Sequence, residues 1–131
     1  MVGDQVMIAI GIGCRGGVTK EAIIAIVSGA LARVQNLNEP ARLFSIDRKR
    51  HEPGLIAAAQ ELNLPLDFFA PEVLRAVEDQ VVTRSERAQA VLGVASVSEA
   101  AALAGAGVNA RLIAPRVSGS GVTCAIARGL G

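Results

Sequence analysis

An α/β fold, built as a three-layer α/β/α sandwich around a mostly parallel sheet of about five strands with a C-terminal antiparallel hairpin, is the architecture this sequence predicts. Three observations lead there. Hydrophobic residues make up 51% of the chain, nearly all aliphatic, and Phe44, Phe68 and Phe69 are its only aromatic side chains; such a core suits a sheet covered on both faces. Short apolar runs alternate with helical patterns in the order β-α-β-α-β-α. The chain then closes on RLIA and VTCAIA, and the intervening PRVSGSG is too short for a crossover helix, so these last two strands pair antiparallel. A length of 131 residues predicts one domain over 1–131, with no linker and no internal repeat.

Each element has its own signal. Residues 5–10 form a short buried strand that runs into the glycine-rich turn GIGCRGG. Thr19 caps a helix reaching about Asn36, with Val18 and Ile23 spaced as a hydrophobic staple. ARLFSID is a second strand ending at Asp47. Pro53 opens a helix over 53–62, where its missing N–H is not needed, and Asn63 and Pro65 stop it. LDFF, residues 66–69, is the third strand, and Pro71 opens a brief helix behind it. Thr83 with Glu86, and Ser96 with Glu99, have capping-box spacing, predicting helices over 85–91 and 97–104 punctuated by Gly93 and Gly105.

Composition narrows the function. Thirteen basic and twelve acidic side chains leave a net charge of +1, so no global field draws the chain to nucleic acid or to an anionic membrane. The scarcity of aromatic platforms also argues against single-stranded nucleic acid. Only the run Arg48, Lys49, Arg50 is locally basic. Cys14 and Cys124 form no CxxC pair and His51 is the sole histidine, so neither a metal site nor a disulfide framework is expected, and no cofactor is implied. Asp4 stands where a signal peptide would carry a cation, and Gly11 and Gly13 break the apolar run, so a soluble cytoplasmic protein is expected.

Gly11, Gly13 and Gly16 match G-x-G-x-x-G at a strand-to-helix turn, the setting of a dinucleotide-binding motif. The acid such a site needs at the end of the second strand is matched by Asp47, but this lies about thirty residues beyond Gly16 against roughly twenty in the fingerprint, and three basic residues follow it. In an open α/β sheet, ligands bind at the carboxyl ends of parallel strands. That rule gathers Cys14 and Arg15 after the first strand, Asp47, Lys49, His51 and Glu52 after the second, and Glu72 after the third. Arg116, Ser118, Ser120 and Thr123 join them if the hairpin turns at the same edge. Individually these residues have structural explanations: Cys14 as a core filler, His51 as a packing or capping group, Asp47 with Lys49 as a surface ion pair. Together they favour an anionic ligand held by backbone N–H groups and cationic side chains.

The segments GIGCR, SIDRKRHEPGL, LPLDFF, VSEAAAL and TCAIAR, in this order over nearly the whole chain, resemble the family formed by the CobE proteins and the C-terminal domain of the CbiG proteins of cobalamin biosynthesis. The resemblance implies an α/β/α domain whose partner is a corrin-pathway tetrapyrrole intermediate rich in acetate and propionate side chains, with another cobalamin biosynthesis enzyme as a further candidate partner. The family motif falls on Gly11, Gly13, Cys14 and Arg15, on Asp47, Lys49, Glu52, Pro53 and Gly54, and on Thr123. Gly16 stands where the family often has a second arginine, and in length the chain looks like the freestanding CobE form.

Two functions follow from this resemblance. The first is a carrier or accessory protein that binds a precorrin-type intermediate through Gly11, Gly13, Cys14, Arg15, Asp47, Lys49, His51, Glu52, Arg116, Ser118, Ser120 and Thr123. The second is a hydrolase acting on a precorrin lactone or acyl fragment, with Cys14 as nucleophile or Asp47 or Glu52 as base and Arg15 or Lys49 stabilising an oxyanion. A nucleotide-binding module is the remaining alternative. Cys14, read as lying at a helix N-terminus beside Arg15, is expected to favour its thiolate and to react faster than Cys124.

Overall fold

The computed structural model describes residues 6–34 and 37–131. The five strands are β1 (Met7–Cys14), β2 (Ala41–Ile46), β3 (Leu66–Phe69), β4 (Arg111–Gly119) and β5 (Val122–Gly129). The helices are α1 (Lys20–Ala32), α2 (Pro53–Leu62), α3 (Pro71–Arg75), α4 (Glu86–Leu92) and α5 (Val97–Ala106). The sheet order is β3-β2-β1-β5-β4. β1, β2 and β3 pair in parallel, while β5 is antiparallel to both β1 and β4. Only β5 therefore opposes the common strand direction.

Alternation along the strands sorts side chains by size between the two faces. Ile8, Ile10, Ile12, Cys124 and Ile126 pack with α1 and α2 through Ile23, Val27, Leu55 and Ala58. Ala9, Ala125 and Ala127 face α5, with its run of alanines. Small residues on both surfaces let the helix axis come unusually close to the sheet. Gly11 shows how close: a Cβ there would lie 2.6 Å from the Ala102 nitrogen, and nearer still to the Ser98 carbonyl oxygen. Eight of the ten residues of α5 are buried in consequence.

Several expected boundaries move. β1 continues through Gly11 and Gly13 to Cys14, so these two glycines belong to the strand and not to the turn after it. They are required by what crosses the sheet, α5 at Gly11 and the Thr123 hydroxyl at Gly13. α1 ends at Ala32 rather than near Asn36; Asn36 lies outside the described residues, as do Asp4 and Gln5. PRVSGSG is mostly strand, because Pro115 falls where the β4–β5 register shifts, on an edge strand that has no second partner to satisfy. The turn is the two residues Ser120 and Gly121, at φ 54° and 80°, the left-handed pair that suits a tight hairpin.

Capping largely follows the sequence. Thr19 accepts from the Ala22 N–H at 3.1 Å, and Asn63 ends α2 in the left-handed region at φ 56°. Ser85, not Thr83, caps α4 by accepting from Ala88 at 3.2 Å. Ser96 accepts from the Glu99 N–H at 3.4 Å, but the Glu99 carboxylate does not return to close the box; its bonds run to Val82, Thr83 and Arg116. Among the described residues no single helix is long and apolar enough to cross a membrane.

Candidate functional site

The carboxyl end of β1, the β4–β5 hairpin, the 3-10 turn Asp47–Lys49 after β2, one face of α4 and the start of α5 surround a cleft of about 680 Å³, within the usual range for ligand pockets of about 300–1,000 Å³. The register sets one wall. Cys14 pairs with Val122 and the Arg15 N–H donates to the Gly121 carbonyl at 3.0 Å, so the hairpin turns at the edge where β1 ends. Across from it, α4 presents Arg87, Ala88, Val91 and Leu92. The Arg48 guanidinium reaches over to donate to the Val91 carbonyl at 3.3 Å.

Charge is segregated around this cleft. Arg15, Arg48, Lys49, Arg87 and Arg116 line it, and no Asp or Glu does so among the described residues. The ion pairs of the described chain lie elsewhere: Lys20 with Glu61, Arg42 with Asp67, Arg50 with Asp47, Arg75 with Glu72 and Arg128 with Glu39. A chain with a net charge of +1 thus concentrates five cations on one concave surface and leaves the remainder net negative. Such a surface would focus field on an anion, and beside it α4 presents the apolar strip Ala88, Val91 and Leu92.

Of the residues singled out from sequence, Gly13, Cys14, Arg15, Gly16, Lys49, Arg116, Ser118 and Thr123 line the cleft. The Thr123 hydroxyl also donates to the Gly13 carbonyl at 3.4 Å, tying β5 to β1 there. Gly11 does not line it, being covered by α5. Asp47 is turned to Arg50 at 2.6 Å, and Arg50 sits over the Phe68 ring at 5.1 Å, so the run Arg48, Lys49, Arg50 splays with its first two members toward the cleft and the third away. Glu52 accepts from the Gly17 N–H at 3.0 Å and straps the turn after β1 to the start of α2. His51 and Ser120 are exposed and outside the lining, and Glu72 pairs with Arg75.

The expected anion cradle at the N-terminus of α1 is not part of this site. Val18, Thr19 and Lys20 do not line the cleft, because the turn is drawn toward α2, where Gly54 leaves room for the Val18 carbonyl. Cys14 differs from expectation for the same reason. It is half-buried beside the α1–α2 core, and burial pushes its thiol up; the Lys49 charge opposes this and Glu52 adds to it. Cys124, fully buried, is pushed up to about 12.

Arg48, Arg87 and the apolar strip of α4 were missed by reasoning from strand ends alone. Arg48 stood inside the basic run, and α4 carried a helical pattern, but nothing local shows that this helix folds back over a strand edge set by residues far away in the chain.

A family model described as Cobalamin synthesis G C-terminus matches residues 8–127. Protein CobE of Sinorhizobium sp is 34% identical over 121 residues, covering 92% of this chain and 79% of that protein. A Cobalt-precorrin-5A hydrolase of Priestia megaterium is 27% identical over 122 residues; these are 92% of this chain but 32% of that protein, so the chain spans about a third of its length. The crystal structure of CobE, a protein from the cobalamin (vitamin B12) biosynthetic pathway, matches with a TM-score of 0.86 at 38% identity over 94% of this chain and 90% of that one.

Proposed function

The chain belongs to the cobalamin synthesis G C-terminus family, and on that premise we propose that its cationic cleft binds a precorrin-type tetrapyrrole polycarboxylate, holding it for a neighbouring pathway enzyme. The observation that carries this reading is the set of five cations facing the apolar strip of α4, with no lining carboxylate among the described residues. A corrin-type macrocycle has the matching form, a broad apolar face with acidic arms around its rim. Each arm that meets Arg or Lys through a charge-assisted hydrogen bond adds about 1.5–3 kcal/mol in a shielded site.

Binding without turnover is favoured over hydrolysis by the state of the candidate catalytic groups. Asp47 is engaged by Arg50 and Glu52 by the Gly17 N–H. Burial pushes the Cys14 thiol up, which disfavours the nucleophilic thiolate. His51, the sole histidine, does not line the cleft to serve as its base. The dinucleotide reading loses its first glycine, since Gly11 lies under α5 and has no room for a pyrophosphate.

Mixing the purified protein with a series of corrin-pathway intermediates, and recording absorbance spectra and product masses, tests the proposal. A carrier shifts the spectrum and leaves the mass unchanged. Removal of a fragment from the intermediate, lost in Cys14→Ser, would establish the hydrolase instead.

A further inference from the structure

Glu99 is fully buried and does not line the cleft, yet both walls hang from its carboxylate. Oε1 accepts from the N–H groups of Val82 at 2.9 Å and Thr83 at 2.8 Å. Those residues lead directly into α4, the wall that carries Arg87. Oε2 accepts from the Arg116 N–H at 3.0 Å, within the part of β4 where the ladder register shifts between Ala114 and Val117. Each wall has few other anchors: the Ser85 N–H donates to the Ala95 carbonyl at 2.8 Å and Leu92 packs against the α5 core. α4 buries none of its residues, and Arg116 sits on an edge strand at an irregularity.

A carboxylate suits this position because it accepts through both oxygens and donates nothing. Three inward-pointing N–H groups from two separate segments need that, and any amide side chain would set a donor against one of them. We infer that Glu99 is a positioning residue for ligand recognition: by tying residues 82–83 and residue 116 to one side chain, it sets the separation of Arg87 and Arg116 across the cleft and so selects the ligand's spacing of carboxylates. This inference rests on the polycarboxylate reading of the cleft for its ligand, but not for the coupling of the walls.

Two measurements on the full chain separate these parts. In native-state hydrogen exchange of the wild type, the amides of Val82, Thr83 and Arg116 should open together with one protection factor, and all three should exchange faster in Glu99→Gln while Ala101 keeps its protection. Independent opening of the two segments overturns the coupling. The second measurement is a binding titration with cobyrinic acid, a corrin polycarboxylate. Glu99→Gln should weaken binding about tenfold in the native background, and less than about twofold when Arg87 and Arg116 are already alanine, because the positioning has then lost its object. Equal losses in both backgrounds, with a lowered melting temperature, would mean that Glu99 only stabilises the fold. Should Glu99→Gln fail to fold, Glu99→Asp, which keeps the carboxylate but is shorter by one methylene, takes its place in both measurements. Wild-type protein that ignores cobyrinic acid would remove the polycarboxylate reading and with it the assigned role in selectivity, while the exchange result would still decide the coupling.

Discussion

Replacing Gly11 with alanine tests whether this glycine serves the packing of α5 or a ligand. The added Cβ would lie 2.6 Å from the Ala102 nitrogen and 2.9 Å from the Ser98 carbonyl carbon. Both atoms are main chain of α5, so no rotamer change relieves the contact; the helix itself must move away from the sheet, opening the close contacts made by Ala9, Ala125 and Ala127. Overpacking costs about 1–3 kcal/mol, and the absence of any flexible neighbour puts this case at the upper end, about 3 kcal/mol. For a domain of this size each kcal/mol moves the melting temperature by roughly 3–5 °C, so a fall of about 9–15 °C is expected by calorimetry or far-UV circular dichroism. Gly29→Ala provides the control. It lies on the exposed side of α1 with nothing near its added Cβ, and should raise stability by about 0.5–1 kcal/mol through helix propensity. A Gly11→Ala protein melting within about 2 °C of wild type would refute the packing argument, and an unchanged melting temperature with lost ligand binding would return Gly11 to the site.

Other outcomes follow from the arrangement of charge and burial. Arg15→Ala or Lys49→Ala should weaken cobyrinic acid by about 1–2 kcal/mol, roughly 5–30-fold, allowing for screening at an open cleft. Arg50→Ala should change it less than about twofold, because Arg50 is paired with Asp47 outside the cleft; isothermal titration at low and high salt checks both. Fully esterified cobyrinic acid should bind far more weakly than the free acid in low salt, and equal affinity would contradict the electrostatic account. With limiting iodoacetamide, mass spectrometry should find label on Cys14 well before Cys124, but more slowly than on an ordinary thiol, since burial raises both. The Cys124 thiol moves from its ordinary 9.0 to about 12 in the folded chain. Its contribution to stability is therefore present below pH 9 and lost as pH rises toward 12, where only the unfolded thiol ionises; Cys124→Ala should flatten that part of a pH–stability profile.

Local patterns carried the element order well, because caps and breakers act over a few residues. Pro53 opens α2, Asn63 ends it in the left-handed region, and Ser96 caps α5 where the letters place it. What was not legible depends on partners distant in the chain. A glycine at the end of a strand and a glycine in the turn after it read alike in one dimension; only the crossing of α5 shows that Gly11 belongs to the strand. Glu99 has the spacing of a capping box, yet donors from two other segments take its carboxylate. The cleft was half visible. Arg15, Lys49, Arg116 and Ser118 follow from strand ends, whereas Arg87 comes from a helix whose position is decided by tertiary contacts and not by its own apolar pattern.

The place of β5 in the sheet has a consequence for how the chain acquires its fold. β1 is made before both of its partners and pairs on one side with β2 and on the other with β5, from Met7 against Gly129 to Cys14 against Val122. During synthesis the hydrogen-bonding edge of β1 beside Ile8, Ile10 and Ile12 therefore stays open until β5 leaves the ribosome. Contacts of such large sequence separation close late and slow the final step. An unpaired edge on an aliphatic strand is meanwhile a template for pairing with another chain. Nascent chains halted before Val122 should accordingly recruit chaperones or aggregate, whereas those halted after Gly129 should reach the native sheet, so the hairpin that builds one wall of the cleft also ends the period of exposure.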